Sequence, residues 1–292
     1  MRSRPALSWH ARGVGVTLIV NPFASRVTEE RVRTLEGRLD AVETLLTERR
    51  GHATELAAAS GGDAVFVFGG DGVVNEVLNG LPSGKPLGIV PGGYTNVLAR
   101  SLGVPADPAL AVRTRSISVG RANGRRFAFA AGIGVDSETV RELETTRQQD
   151  GRRRGDVAYA RVAARRLFRG YEPRLEIEGL GRAALLFVSN DAVFTYAGPR
   201  PFRFSPASRF ELGLDVVAPA RAGALTSLRY VTRLLAGRGL VGLPGVLHAH
   251  DVDVVRVVCD EPLPLEADGE DLGDVAEAVF EAERDAVSVL VA

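Results

Sequence analysis

Cysteine is nearly missing. Cys259 stands alone, which excludes an intramolecular disulfide and a cysteine-built zinc cluster and fits a reducing compartment. Lysine is as scarce: Lys85 is the only one among 36 basic residues, the rest being arginine. Net charge is lacking too, since 36 acidic residues balance the 36 basic ones. That balance argues against a dedicated nucleic-acid binder, because counterion release needs a cationic surplus. No apolar run reaches the roughly 20 residues that cross a bilayer. The N-terminal stretch from Met1 to Gly13 carries arginines and Trp9 but no long apolar core, so it does not read as a signal peptide. The expectation is a cytoplasmic protein.

What is present is a chain of 292 residues, 45% hydrophobic, long enough for two domains with sizeable cores. The first third alternates strand-like and helix-like segments. Strands are predicted at Val14 to Val20, Val42 to Leu46, Ala64 to Phe68 and Leu87 to Val90. Helices are predicted at Glu29 to Asp40, His52 to Ser60, Val73 to Asn79 and Val97 to Leu102. Thr28 is the expected N-cap of the first helix, with Glu29 and Glu30 opposing its positive end. Strands alternating with helices imply a parallel sheet with both faces covered.

Beyond Arg115 the character changes. Strands are predicted at Ile117 to Val119, Phe127 to Ala131, Leu175 to Ile177, Leu185 to Ser189, Leu214 to Ala218 and Val252 to Val258. Helical stretches lie between them at Thr139 to Gln148, Val157 to Arg169 and Ala224 to Leu235. That pattern suits a largely antiparallel second domain. The expected division is residues 1–116 and 117–275.

Two glycine-rich turns each follow an apolar strand and open a helix: Gly69-Gly70-Asp71-Gly72 and Pro91-Gly92-Gly93-Tyr94-Thr95-Asn96. Both fall at carboxyl ends of predicted parallel strands, where open α/β sheets bind ligands. Glycine lets backbone approach a phosphate, and helix-start N–H groups supply donors. Neither turn carries the lysine of a P-loop, so a Walker-type ATPase is disfavoured. Backbone amides, with Asn21, Asn75 and Asn96, are left to hold phosphate. One such turn would read as a plain strand–helix connection; two in tandem, one with an aspartate, favour a nucleotide.

These motifs resemble the diacylglycerol kinase catalytic domain, shared by soluble bacterial diacylglycerol kinases, sphingosine kinases and ceramide kinases. The resemblance rests on Asn21-Pro22-Phe23-Ala24-Ser25, the run from Gly69 to Gly80, Pro91 to Asn96, Ala131-Gly132-Ile133-Gly134-Val135-Asp136 and Asp268-Gly269-Glu270, which occur in the family's order. It implies a phosphofructokinase-like nucleotide domain and an antiparallel β-sandwich domain, with a cleft between them and residues 276–292 returning to the first domain. It also implies ATP and Mg²⁺ as cofactors. The ATP contacts would come from Asn21, Pro22, Phe23, Ala24, Ser25, Thr47, Gly69, Gly70, Asp71, Gly72, Val73, Val74, Asn75, Tyr94, Thr95 and Asn96. Asp71 would serve the Mg²⁺–phosphate network, and the Asp268/Glu270 pair would supply the base that takes a proton from a lipid hydroxyl. Glu211, in Ser208 to Asp215, falls where the family has a structural Mg²⁺ site, but the usual neighbouring aspartates are missing and a loop-to-strand turn is favoured there. Asp268-Gly269-Glu270 alone would read as a solvated hairpin turn.

Two departures from the family bear on activity. Val73 stands where the family usually has threonine, and Tyr94 where it has serine or threonine. Each removes a hydroxyl beside the phosphates, at a cost of about 1.5–3 kcal/mol for a hydrogen bond to a charged group. The expected function is phosphoryl transfer from ATP to a diacylglycerol-like or long-chain-base lipid presented at a membrane surface, with peripheral membrane association. The alternatives are a pseudokinase that binds nucleotide or lipid without turnover, and an NAD kinase-like enzyme. Two weaker features remain. His248 and His250 form a His-x-His pair, read as strand-edge polar residues ahead of a metal site. Arg152-Arg153-Arg154 with Arg161, Arg165, Arg166 and Arg169 form a basic stripe suited either to solvent or to anionic headgroups.

Overall fold

Five consecutive apolar or β-branched residues make strand β1 (Val16–Val20), and every one of them is buried. A run buried on both faces is what a central parallel strand requires. In the computed structural model, which describes residues 15–134, 137–139, 141–142 and 170–292, the chain forms two compact units. One comprises the residues up to Ile117 together with Asp285–Ala292, the other Ser118–Arg284.

The first unit is built on four parallel strands: β1, β2 (Ala41–Leu46), β3 (Ala64–Gly69) and β4 (Leu87–Pro91). β1 lies between β2 and β3 with Val16 opposite both Ala41 and Ala64, and β4 flanks β3 with Leu87 opposite Val65. Helix α1 (Glu29–Leu39) starts as the sequence predicts, the Thr28 hydroxyl accepting the Arg31 N–H at 3.3 Å. Its Leu35 and Leu39 pack with Val16, Leu18, Phe66, Phe68 and Leu290. Helices α2 (His52–Ala59) and α3 (Asp71–Gly80) pack on each other. There the Ala53 N–H donates to Glu76 Oε2 at 3.1 Å and the Thr54 hydroxyl to the Glu76 carbonyl at 2.8 Å. Helix α4 (Val97–Ser101) follows β4.

The second unit is antiparallel and strand-rich. It contains β5 (Arg113–Ala122, entering from the first unit), β6 (Arg125–Phe127), β7 (Ala130–Ile133), β8 (Leu175–Ile177), β9 (Gly181–Ala183) and β10 (Leu186–Ser189). Beyond these come β11 (Thr195–Ala197), β12 (Arg200–Phe202), β13 (Leu214–Pro219), helix α5 (Ala224–Leu235), β14 (Val246–Val252), β15 (Val254–Ala267) and β16 (Glu270–Val291). β14, β13, β10, β7, β15 and β16 are neighbours in that order, all antiparallel. Phe127, Ile133, Val188, Val216, Val257, Leu265 and Phe280 fill the core. β16 is shared by the units: its early residues pair with β15, and Val289 pairs parallel with Leu87 of β4.

Two predicted strands turn out interrupted. The segment expected as one strand from Phe127 to Ala131 breaks at Ala128 and Phe129, whose amides donate to the Asp268 carboxylate rather than to a ladder. The strand expected from Val252 to Val258 breaks at Asp253, between β14 and β15, two residues after Asp251 takes a positive φ of 56°. The segments Val135-Asp136, Arg152 to Arg154, Val157 to Arg169 and Met1 to Gly13 lie outside the described residues, as does most of the helix expected from Thr139.

Gly80 ends α3 where a Cβ would overlap the Thr54 carbonyl oxygen of α2. Gly80→Ala is therefore expected to lower the stability of the first unit by about 1–3 kcal/mol through overpacking. Calorimetry should show an earlier transition than in the unaltered protein.

Candidate nucleotide and carboxylate sites

The four parallel strands of the first unit end side by side, and the predicted nucleotide residues sit at those ends. Asn21, directly after β1, donates its N–H to the Phe68 carbonyl at 3.0 Å, and its Oδ1 accepts the Phe23 N–H at 3.0 Å. Thr47, directly after β2, is buried and donates its N–H to the Val20 carbonyl at 2.9 Å. Arg26 closes the loop after β1 onto the second glycine turn, donating to the Gly92 carbonyl at 2.9 Å. Within that loop Ala24 is buried, while Pro22 and Ser25 are exposed and Phe23 is 76% exposed.

The two glycine turns touch. Gly92 donates its N–H to the Gly69 carbonyl at 2.7 Å, and a Cβ on Gly93 would lie 2.5 Å from Gly70 Cα. No side chain larger than hydrogen fits at that approach, which is the physical reason for paired glycines here. Gly70 caps α3 with no side-chain hydrogen bond, and Val74 is the first residue to donate back to Gly70. The N–H groups of Gly72 and Val73 therefore belong to an uncapped helix start, a ready anion site beside two glycine turns.

The side chains predicted to hold phosphate behave differently. Asn96, at a positive φ of 50°, closes its own turn: its Oδ1 accepts the Gly93 N–H and its Nδ2 donates to the Gly93 carbonyl, both at 2.9 Å. Asn75 is buried and accepts from Asn79 Nδ2 at 3.1 Å, and Val74 is core. Val73 covers Gly69, where a Cβ would overlap its Cγ1. Tyr94 stands 65% exposed, with Thr95 half-buried behind it. Asp71 accepts the backbone amides that open α4, the Leu98 N–H at 3.3 Å among them. Burial pushes its carboxyl above the ordinary carboxylate range, and those amides pull the other way.

Sequence reasoning missed Arg31. Its guanidinium lies 4.7 Å from the centre of the Phe68 ring and donates to the Arg26 carbonyl, fixing a cation one residue from the first glycine turn. A signal was available: a basic residue in the first turn of a helix opposes the macrodipole and asks for another reason.

In the second unit Asp268 and Gly269 form the two-residue loop between β15 and β16, with φ of 50° and 79° and Ala267 opposite Glu270. Positive φ at both positions is the Asp-Gly hairpin signature. The loop is not solvated. Asp268 is buried, and its carboxylate accepts the N–H groups of Ala128 at 2.6 Å, Phe129 at 3.0 Å and Ala130 at 3.2 Å. Buried Glu266, also absent from the sequence expectations, accepts the Gly269 N–H at 3.0 Å. Glu270 pairs with Arg125 at 2.7 Å.

Resident metal finds little support. Glu211 is exposed in the turn before β13, and among the described residues no three His, Cys, Asp or Glu side chains gather closely enough to hold an ion. Asp71 and Asp268 spend their oxygens on amides. Among the described residues, then, no set of side chains is gathered for a protein-held Mg²⁺. His250 Nδ1 is 2.7 Å from Asp215 Oδ1, and the same buried aspartate accepts the Ser205 hydroxyl and the Asp251 N–H, so this histidine is a hydrogen-bonded strand residue. Burial pulls His248 below the ordinary imidazole range.

Residues 15–123 match the family described as "Diacylglycerol kinase catalytic domain". A diacylglycerol kinase of Bacillus subtilis is 38% identical over 102 residues, which cover 32% of this chain and 34% of that protein. Sphingosine kinase 1 of Rattus norvegicus is 30% identical over 212 residues, 58% of this chain and 53% of that one. The matches thus span between a third and about half of these curated relatives. A crystal structure of a diacylglycerol kinase from Bacillus anthracis superposes with a TM-score of 0.70 at 24% identity, covering 95% of this chain and 97% of that chain, a likeness of fold. The resemblance carried by the motifs is therefore found in sequence across the glycine turns and in fold along nearly the whole chain.

Asp268→Ala would leave three amides without their acceptor, and loss of about 3 kcal/mol or more is expected at roughly 1–3 kcal/mol per unsatisfied group. Glu270→Gln keeps an acceptor for Arg125 and should shift stability by less than about 1 kcal/mol. Urea unfolding of the two variants side by side checks both values.

Proposed function

We propose that this protein transfers the γ-phosphoryl group of ATP to a hydroxyl of a diacylglycerol-like or long-chain-base lipid. The observation that carries the reading is the contact of the two glycine turns at the ends of β3 and β4, beside the uncapped start of α3. Phosphoryl transfer asks little covalent chemistry of a protein; it asks for positioned donors around the phosphates and a carboxylate to orient the acceptor. The amides of Gly72 and Val73 supply donors, and Arg31 adds a fixed positive charge near the turn. Asp71 holds the start of α4 and so positions the second glycine turn. The nucleotide would bring Mg²⁺ as its counterion, which would neutralise phosphate charge.

The Asp268–Glu270 hairpin carries the base. Three amides hold the Asp268 carboxylate, Glu266 holds the Gly269 N–H, and Arg125 holds the Glu270 carboxylate. The acceptor class rests on the names of the relatives, diacylglycerol kinase and sphingosine kinase, and the lipid reading is supported by them rather than by any pocket.

The second reading is a nucleotide binder without turnover, favoured by one observation: Val73 and Tyr94 put a methyl-bearing side chain and an exposed ring where a hydroxyl would meet phosphate. The test is incubation with Mg²⁺, labelled ATP and micelles of diacylglycerol or sphingosine. Label in lipid, falling about 100-fold or more in Glu270→Gln while stability holds, assigns the proton acceptor to Glu270. Undiminished label in that variant removes Glu270 from that role. Val73→Thr with Tyr94→Ser should raise turnover about 10-fold or more if each restores a hydrogen bond to charged phosphate. ATP binding without label in any lipid, before and after that reversion, supports the binder. Label in NAD alone overturns the lipid reading.

A further inference from the structure

Between Asp215 and Asp251 the chain contains no aspartate or glutamate, although acidic and basic residues balance over its whole length. The same interval carries Arg221, Arg229, Arg233 and Arg238. Helix α5 lies inside it, and its leucines are arranged in an unusual way. Leu225, Leu228 and Leu235, with Thr232 between, follow an i, i+3, i+7, i+10 spacing that forms one stripe on a helix. Such a stripe ordinarily faces the core. Here it faces outward: Leu225 is 86% exposed, Leu228 55% and Leu235 60%. The buried side of the helix carries Ser227 and Tyr230 instead.

That orientation is locked. The Tyr230 hydroxyl donates to the Arg221 carbonyl at 3.1 Å. The Gly223 N–H donates to the Thr226 hydroxyl at 2.8 Å, capping the start of the helix. Arg233 Nε donates to the Gly239 carbonyl at 3.2 Å and ties down its end. Turning the leucines inward would carry the buried Ser227 and Tyr230 out into solvent. Arg229, four residues after Leu225, flanks the stripe, and Arg238 stands exposed beyond the end of the helix, while Arg221, exposed before its start, pairs with Glu172 at 3.5 Å.

We propose that the outer face of α5 docks on an anionic lipid bilayer, the leucines entering the acyl boundary and the arginines reaching the headgroups. The charge decides for this occupant. A second copy packed on the same face about a two-fold axis would set these arginines against themselves, whereas an anionic surface meets every one with opposite charge. A helix with leucines along one line and arginines beside it lies in the plane of an interface, and each arginine near an anionic surface is worth about five-fold in binding. This deepens the lipid-kinase reading, and rests on it for the reason a bilayer is approached at all: the acceptor lies there.

The experiment is sedimentation of the full chain with phosphatidylcholine vesicles, with and without phosphatidylglycerol, at low and high salt. Binding only to the vesicles holding phosphatidylglycerol is expected, weakening with salt and falling about ten-fold or more in Leu225→Glu/Leu228→Glu. Because these leucines face outward, the variant should keep the melting temperature of the parent; Leu235→Glu serves as an independent variant if it does not. Equal binding by variant and parent, equal binding to both vesicle types, or no binding by the parent overturns the proposal. So does a dimer in solution that the variants abolish, which would make a second copy the occupant. Turnover of a short-chain diacylglycerol below its micellar concentration separates the two readings. That activity should be the same in parent and variant; its loss in the variant alone places the face in substrate binding and overturns the docking role. Its absence in both sinks the kinase reading, while the vesicle arm still reports on α5.

Discussion

The first unit depends on one close approach. Gly70 and Gly93 come so near that a Cβ on the second would lie 2.5 Å from the Cα of the first. That approach brings together two strand ends, lets Gly92 donate to Gly69, and leaves the start of α3 without a side-chain cap. The surrounding residues serve it. Asn96 closes the second turn on itself, Asp71 grips the amides of α4, and Arg26 draws the loop after β1 against Gly92. Side chains that a phosphate site could have used are spent on holding backbone in place. The donors left for a ligand are then main-chain N–H groups, which carry no side-chain entropy and cannot rotate away.

The second unit repeats this economy with opposite charge. Its Asp-Gly loop is an ordinary hairpin turn by its dihedral angles, yet the Asp268 carboxylate reaches across to three consecutive amides, two between β6 and β7 and the first of β7. One residue therefore makes the turn, joins β15–β16 to a neighbouring connection, and fixes the direction in which Glu270 leaves the loop. The hairpin reading and the carboxylate reading of Asp268-Gly269-Glu270 are compatible because the turn is buried, and burial of a carboxylate is tolerable only when such donors meet it.

Legibility differed from residue to residue for physical reasons. The N-cap at Thr28, the helix from Ala224 to Leu235 and the strand from Leu175 to Ile177 were readable, since each is set by local capping or periodicity. The glycine turns were readable as strand–helix turns, but the work of Asn75 and Asn96 was not, because an amide side chain binds whatever the fold brings within reach. The break at Ala128 and Phe129 was hidden for the same reason: the group that takes their hydrogen bonds lies about 140 residues further along, and no local pattern reports it. The leucines of α5 gave the right helix but not its facing, since a stripe has a direction only once its surroundings exist.

By itself the sequence determined a parallel α/β unit followed by an antiparallel strand-rich one, together with a family resemblance carried by motifs spaced in order. These follow from short-range physics: periodicity, capping, turn chemistry and the glycine that only a close approach demands. The tertiary structure alone decided which polar groups are spent on the fold and which remain for chemistry. It showed Asp71 and Asp268 bound to amides, Arg31 stationed over Phe68, Glu270 paired with Arg125, and α5 turned outward. The reason is that hydrogen bonds and burial are settled between residues far apart in the chain, where neither spacing nor propensity carries information.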